Sequence, residues 1–232
     1  MSAIDQWSLA ESCIGNMRRV LLYGPPGTGK TYSAMYHNLA EDQAVYCNTL
    51  TEETPASELR GHFVLKDQNM EWHHGPAMRA WLDGSRYVIN ELDRASGDCH
   101  SFCYGVLDDI SSAQITLPSG QTVRPQASTS FVVTMNGTEA DLPEALVDRM
   151  DAIIRITRPH PAAIQALPEN LRELATEATA ATNPNVRTSI RKWFALEEAL
   201  KHLPLPAACV AVFGDRAADI NAAYSLSERI NA

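Results

Sequence analysis

Residues Gly24–Thr31 read GPPGTGKT and match the pattern G-x-x-x-x-G-K-[ST], with Gly24, Gly29, Lys30 and Thr31 at the fixed positions. Glycines at those places let the backbone curl until its N–H groups converge on a phosphate. Lys30 brings a positive charge to the β and γ oxygens, and Thr31 offers a hydroxyl to Mg²⁺. The short apolar run Arg19–Tyr23 precedes the loop and a helical stretch follows it, so the helix's positive end faces the same anion. The whole run of Gly24, Pro25, Pro26, Gly27, Thr28, Gly29, Lys30 and Thr31 is the expected nucleotide contact.

A second acidic stretch lies downstream, at Tyr87–Arg94 (YVINELDR). Phosphate-loop enzymes commonly end a later strand in Asp-Glu, the Asp for the Mg²⁺ shell and the Glu to polarise the attacking water. Glu91 stands in the base position, and Asn90 in the metal position. An amide still accepts a hydrogen bond from metal-bound water but carries no charge, so a weaker Mg²⁺ site is expected. Asp93 is an alternative acid, although it lies past the end of the strand. Cys99, His100 and Cys103 have ligand chemistry, but on a helix the two thiols share a face that packs on a sheet, and core packing is the expectation.

The elements that must hold these residues alternate. Strand patterns occur at Arg19–Tyr23, Ala44–Thr49, Tyr87–Ile89, Ser130–Asn136 and Ala152–Ile156, with helical stretches such as Thr31–Ala40 and Ser96–Asp109 between them. Short buried strands separated by helices predict an α/β fold, a parallel sheet covered on both faces. Leu59–Trp72 has no clear period, and Ile115–Val123 reads as a hairpin. After Arg158 come Pro159 and Pro161, then a segment rich in Ala, Leu and Glu without a good strand. Helices are expected at Leu167–Thr182 and Val186–Leu203, with one or two more over Ala207–Ile230. The expected division is a nucleotide-binding core over residues 1–158 and a helical lid over 159–232.

With these motifs in this order, the sequence resembles the AAA+ ATPases, and within them the MoxR-like group, from about Val20 to Leu200. GPPGTGKT resembles the Walker A motif, and Asn90–Ala95 (NELDRA) resembles the Walker B stretch with its first acid replaced. Phe131–Gly137 (FVVTMNG) resembles the sensor 1 strand, which makes Asn136 the residue near the γ-phosphate. Leu142–Asp151 (LPEALVDRMD) resembles the segment that carries the arginine finger, which singles out Arg149. Asn185–Thr188 (NVRT) falls where sensor 2 is expected and offers Arg187, with Arg191 as a competitor. The resemblance implies ATP and Mg²⁺ as cofactors and a homo-oligomeric ring, usually a hexamer, in which Arg149 acts on a neighbour's nucleotide. It also implies a protein client of unknown identity. Plainer roles compete: Asn136 capping a turn, Arg149 pairing with Asp148 or Asp151, Arg187 solvated at a helix start. The AAA+ central pore loop lies in the region of Arg60–Gly75. There, Phe63, Trp72 and the His73–His74 pair suit gripping a partner, and Phe63, Val64 and Leu65 equally suit buried packing.

Composition bounds the partners. The net charge is −9 over 232 residues, which argues against a broad basic face for nucleic acid. No apolar run approaches a membrane span, Met1–Gly15 lacks a basic leader pattern, and five irregularly spaced cysteines are no disulfide framework. A cytoplasmic, membrane-free protein is the expectation. Three functions fit the motifs: a ring-forming ATPase that remodels or matures a protein, an ATP-dependent assembly switch that hydrolyses slowly, and a small-molecule kinase. The series Asn136, Arg149 and helical lid disfavours the kinase.

Overall fold

A computed structural model describes residues 5–41, 43–183 and 186–230. It divides into two compact units, Met1–Gly24 with Lys30–Arg155, and Pro25–Gly29 with Ile156–Ala232.

The first unit opens with α1 (Gln6–Asn16), started by Asp5, whose carboxylate accepts the Ser8 N–H at 2.8 Å. Next come β1 (Arg19–Tyr23), α2 (Lys30–Tyr36), β2 (Val45–Thr49) and α3 (Ala56–Arg60). They are followed by β3 (Gly61–Lys66), β4 (Asn69–His74), α4 (Pro76–Asp83), β5 (Arg86–Asn90) and α5 (Gly97–Val106). The unit closes with β6 (Ile115–Thr116), β7 (Thr122–Val123), β8 (Ser130–Met135), α6 (Glu144–Val147) and β9 (Ala152–Arg155). Five strands form one sheet in the order β2-β5-β8-β1-β9, every pair parallel. Val20, Leu21 and Leu22 are all buried, so β1 has side chains packed on both faces, which is why it reads as a continuous apolar run. On one face Leu21, Ile89, Phe131 and Val133 meet Trp81 of α4 and Cys103 of α5. Each such buried side chain contributes about 1.5–3 kcal/mol of burial free energy.

The boundaries differ from the sequence expectation for local reasons. The helix expected over Thr31–Ala40 stops at Tyr36, because Asn38 turns left-handed (φ 50°) and the Arg86 guanidinium takes the carbonyls of Ala34, His37 and Asn38. The helix expected over Ser96–Asp109 begins at Gly97, with Ser96 outside it as the cap of the Cys99 N–H. The stretch left without a period, Leu59–Trp72, ends α3 and forms an antiparallel hairpin of β3 on β4. Its turn residues Asp67 and Gln68 both have positive φ, 49° and 65°. A tight hairpin turn needs such angles, and Asn-Gly is the usual pair that announces one. α1, α3, α4 and α6 are further helices of this unit that no sequence expectation named.

The second unit is helical: α7 (Pro161–Gln165), α8 (Glu169–Ala180), α9 (Ile190–Leu200), α10 (Leu205–Phe213) and α11 (Ala217–Ile230). Its core joins Leu171, Trp193, Leu196, Cys209 and Ile220. The Trp193 indole N–H donates to the Thr188 hydroxyl at 2.8 Å, so its one polar atom is satisfied inside the core. α9 starts at Ile190 rather than at Val186, because the Ser189 hydroxyl caps it by accepting the Arg191 N–H. Asn185, the first residue of the expected sensor 2 stretch, lies outside the described residues.

Candidate active site

β1 delivers the chain into the Gly24–Thr31 loop at the carboxyl end of the parallel sheet, and α2 leaves it. Gly24 and Gly29 have φ of 127° and 103°, angles an L side chain resists, so the curl depends on glycine at those positions. Gly27 is needed for closeness instead: a Cβ there would lie 2.4 Å from the Ser189 side chain. Within the second unit, the Gly27 carbonyl accepts the Ile190 N–H and the Thr28 carbonyl accepts the His160 N–H. The Thr28 hydroxyl donates to the Pro25 carbonyl at 3.3 Å, and Pro26 stands exposed.

In the first unit Lys30 is 5% exposed. Its ammonium donates to the Gly24 carbonyl at 2.8 Å and to Oδ1 of Asn136 at 3.1 Å. The other end of the Asn136 amide donates to Glu91 at 2.5 Å. Asn136 therefore bridges the loop's cation to the expected base. It follows β8, which lies between β5 and β1 in the sheet, and that register makes the bridge possible. Glu91 follows β5 with a left-handed backbone (φ 57°, ψ 42°), which costs about 1–2 kcal/mol for a residue with a Cβ. Its second carboxylate oxygen is an ion-pair partner of the exposed Arg94, with Nε at 3.2 Å, and receives no aligned hydrogen bond.

Asn90 ends β5 and is buried. Its amide oxygen accepts the Thr134 hydroxyl at 2.7 Å, and its amide nitrogen donates to Cys47 Sγ at 3.1 Å and to the Thr49 hydroxyl at 3.4 Å. Those three neighbours fix which way the amide points. Burial raises the Cys47 pKa, so the thiol stays neutral beside it. Thr134 and Cys47 escaped the sequence reading. The available signal for Thr134 was its place two residues before Asn136 on one strand, opposite Asn90 in the register. Asp93 sits on a short 3-10 turn, with Oδ1 buried and unpaired and Oδ2 close to Gly137.

Arg149 lies elsewhere. It donates to the carbonyls of Tyr104 (3.2 Å) and Ala145 (2.6 Å), and its guanidinium covers the Tyr104 ring. Its chain neighbour Asp151 pairs with Arg19 at the start of β1, the end of the sheet remote from the loop. At ~3.3 Å per residue, Arg19 and Gly24 are separated by roughly 16 Å along the strand. Arg149 is thus not among the groups around Lys30 of its own chain. Arg187 belongs to the second unit, where it donates to the Thr157 carbonyl at 2.8 Å, and burial lowers its pKa. Arg191 is exposed. Cys99 and Cys103 are fully buried, Cys103 with its pKa pushed up to about 12 by burial, and His100 bonds the Leu92 carbonyl, an arrangement for packing. Phe63 and Leu65 are exposed, so the hairpin does not bury them.

The donor set fits a triphosphate with a hard divalent cation: one buried ammonium, a glycine-curled backbone, the partly exposed Thr31 at the start of α2, and the amide oxygen of Asn90. A model of AAA domains of the dynein-related subfamily matches residues 19–150, from β1 through Arg149. The chain belongs to that family. It is an AAA+ protein of the MoxR-like kind. It is 28% identical over 105 residues to protein NorQ of Paracoccus denitrificans, covering 45% of this chain and 39% of NorQ. It is 26% identical over 117 residues to the denitrification regulatory protein NirQ of Pseudomonas aeruginosa, covering 50% of this chain and 45% of NirQ. The chain therefore matches less than half the length of either relative. A crystal structure described as that of a candidate ATPase from Cytophaga hutchinsonii shares the fold, with a TM-score of 0.52 at 18% identity over 95% of this chain and 68% of the other. Among the described residues no helix is long and apolar enough to cross a membrane.

Proposed function

We propose that this AAA+ chain binds ATP with Mg²⁺ at Gly24–Thr31, assembles into a homo-oligomeric ring, and hydrolyses the nucleotide to remodel or help mature a protein partner. The observation that carries the reading is the Lys30–Asn136–Glu91 chain of contacts at the carboxyl end of the sheet. Bound ATP supplies the phosphoanhydride to be cleaved, and Mg²⁺ supplies charge neutralisation. Lys30 holds the terminal phosphates, Thr31 and Asn90 hold the Mg²⁺ and its water shell, and Asn136 orients the carboxylate of Glu91. Glu91 accepts the proton of the attacking water. Arg149, remote from its own loop, is the group a neighbouring copy would receive, and Arg187 couples the helical unit to nucleotide state. The exposed Phe63 beside Trp72, ring centroids 5.1 Å apart, supports the hairpin as the surface that grips the client. The likeness to NirQ, a denitrification regulatory protein, supports a client connected with denitrification.

The test is phosphate release from ATP and Mg²⁺, with nucleotide binding measured alongside. Release that Glu91→Gln abolishes while ATP stays bound supports the ATPase. A second reading, the slow assembly switch, draws on the neutral Asn90. It predicts ATP-dependent growth in particle size by light scattering, with equal and negligible release from both proteins.

A further inference from the structure

At the end of the sheet remote from the phosphate loop, a cavity of about 660 Å³ opens between the α1–β1 connection, the stretch after α2, and the residues leading into β8. Its described lining holds Arg18 and Arg86 and neither Asp nor Glu, in a chain with 28 acidic against 19 basic residues. The two arginines differ in how they are used. Arg86 is 2% exposed and spends both Nη atoms on the carbonyls that end α2. The Arg18 side chain makes no hydrogen bond or ion pair with a described residue, and its Nε and Nη2 are buried without an acceptor. Its guanidinium lies 5.5 Å above the Phe131 ring. Two acids act on it without a hydrogen bond: Asp151, which is bound to Arg19, and Asp109, which accepts from Ser111. Burial first, and then Arg19, hold the Arg18 pKa below its ordinary value. Buried donors of a cation left dry are costly, and an incoming acceptor removes that cost. Ser130 lines the same cavity and its hydroxyl bonds no described residue, whereas the Ser128 hydroxyl lies against Gly84.

We propose that this cavity binds a small-molecule oxyanion, a carboxylate or a phosphate ester, with Arg18 as its charged anchor and the Ser130 hydroxyl as a neutral donor. A guanidinium fork matches either group in two-point contact, and a hydroxyl adds to the coordination without competing charge. The volume is that of a small-molecule site. Ile14, Met17 and Leu39 give the uncharged body of the ligand an apolar wall. The site is separate from the nucleotide loop and its occupation does not depend on ATP hydrolysis.

The test is calorimetric titration of inorganic phosphate, and separately of malonate, into the full chain bearing Lys30→Ala, which removes the loop's own phosphate anchor. Saturable binding of either probe is expected, weakened about tenfold or more by adding Arg18→Gln and several-fold by adding Ser130→Ala instead. Binding of phosphate alone assigns phosphate esters, and binding of malonate alone assigns carboxylates. If Arg18→Gln lowers the melting temperature through loss of its contact with Phe131, the Ser130→Ala titration decides. No binding of either probe up to about 20 mM overturns the proposal, as does binding that neither substitution weakens.

Discussion

Glu91 pairs a strained backbone with an engaged carboxylate, and Asn136 links that carboxylate to Lys30. If the carboxylate takes the proton from water, Glu91→Gln lowers phosphate release by a factor of about 10²–10⁴ and leaves ATP binding intact. A nucleotide-binding assay run beside a phosphate assay checks both halves. Asn90 is held by Thr134 on one side and by Cys47 and Thr49 on the other. Asn90→Asp keeps the Thr134 contact, because a carboxylate also accepts a hydroxyl, and adds a charge where the metal shell is expected. The Mg²⁺ concentration for half-maximal release should therefore fall. Thr134→Val leaves the buried amide oxygen of Asn90 without its donor, at a cost of about 1–3 kcal/mol in a denaturant melt. The amide then turns more freely, and the Mg²⁺ requirement should rise. Equal Mg²⁺ dependence in Asn90→Asp and the parent chain would remove Asn90 from the metal site.

Among the elements, the β3–β4 hairpin and the β1–β9 pairing are the two with testable chemistry. Asp67 and Gln68 turn the hairpin with both φ values positive, a conformation that Gly adopts without a Cβ clash. Gln68→Gly should hold stability or raise it by up to ~1 kcal/mol, read from the denaturation midpoint, whereas Gln68→Val should lower it. Asp151 joins the start of β9 to Arg19. Burial pushes its pKa up, but the Arg19 side-chain and backbone N–H bonds outweigh burial and leave it below the ordinary value. A depressed carboxylate pKa stabilises the fold above the unfolded value near 3.9, and that stabilisation is lost as pH falls through the lower folded value. Asp151→Asn should therefore flatten the acid limb of the stability curve below about pH 4, measured by chemical denaturation across pH. Of the five sheet strands, β1, β5 and β8 were legible as short apolar runs buried on both faces, and the edge strands β2 and β9, only partly buried, were legible from their β-branched and aromatic residues. The hairpin was not, because its exposed Phe63, Leu65 and Met70 break polar alternation and Asp-Gln does not advertise a tight turn. The loop, Glu91 and Asn136 were legible as motifs, since their chemistry is local in sequence. Thr134 and Cys47 matter only through register, and a register is a property of paired strands rather than of any one segment.

The whole first unit has two chemically distinct ends. Lys30, Glu91 and Asn136 gather at one, while Arg149 and the Arg19–Asp151 pair sit at the other. The proposed ring would use a head-to-tail contact, which would have to bring Arg149 of one copy to the loop of the next. Arg149→Ala alone and Lys30→Ala alone should each be inactive in phosphate release. An equal mixture of the two, assembled with ATP, should recover about one working site in four, because only a chain with an intact loop beside one with an intact arginine can react. Failure to complement in mixed particles of confirmed size would separate Arg149 from the reaction.

That separation of ends also fixes how damage spreads. In the proposed ring each copy would lend to one side and borrow from the other, so a defective copy would starve a single borrower and leave distant members working. Doping wild-type protein with Arg149→Ala chains should then depress turnover in straight proportion to the dose. A steep collapse at low dose would instead mean that the members fire in concert.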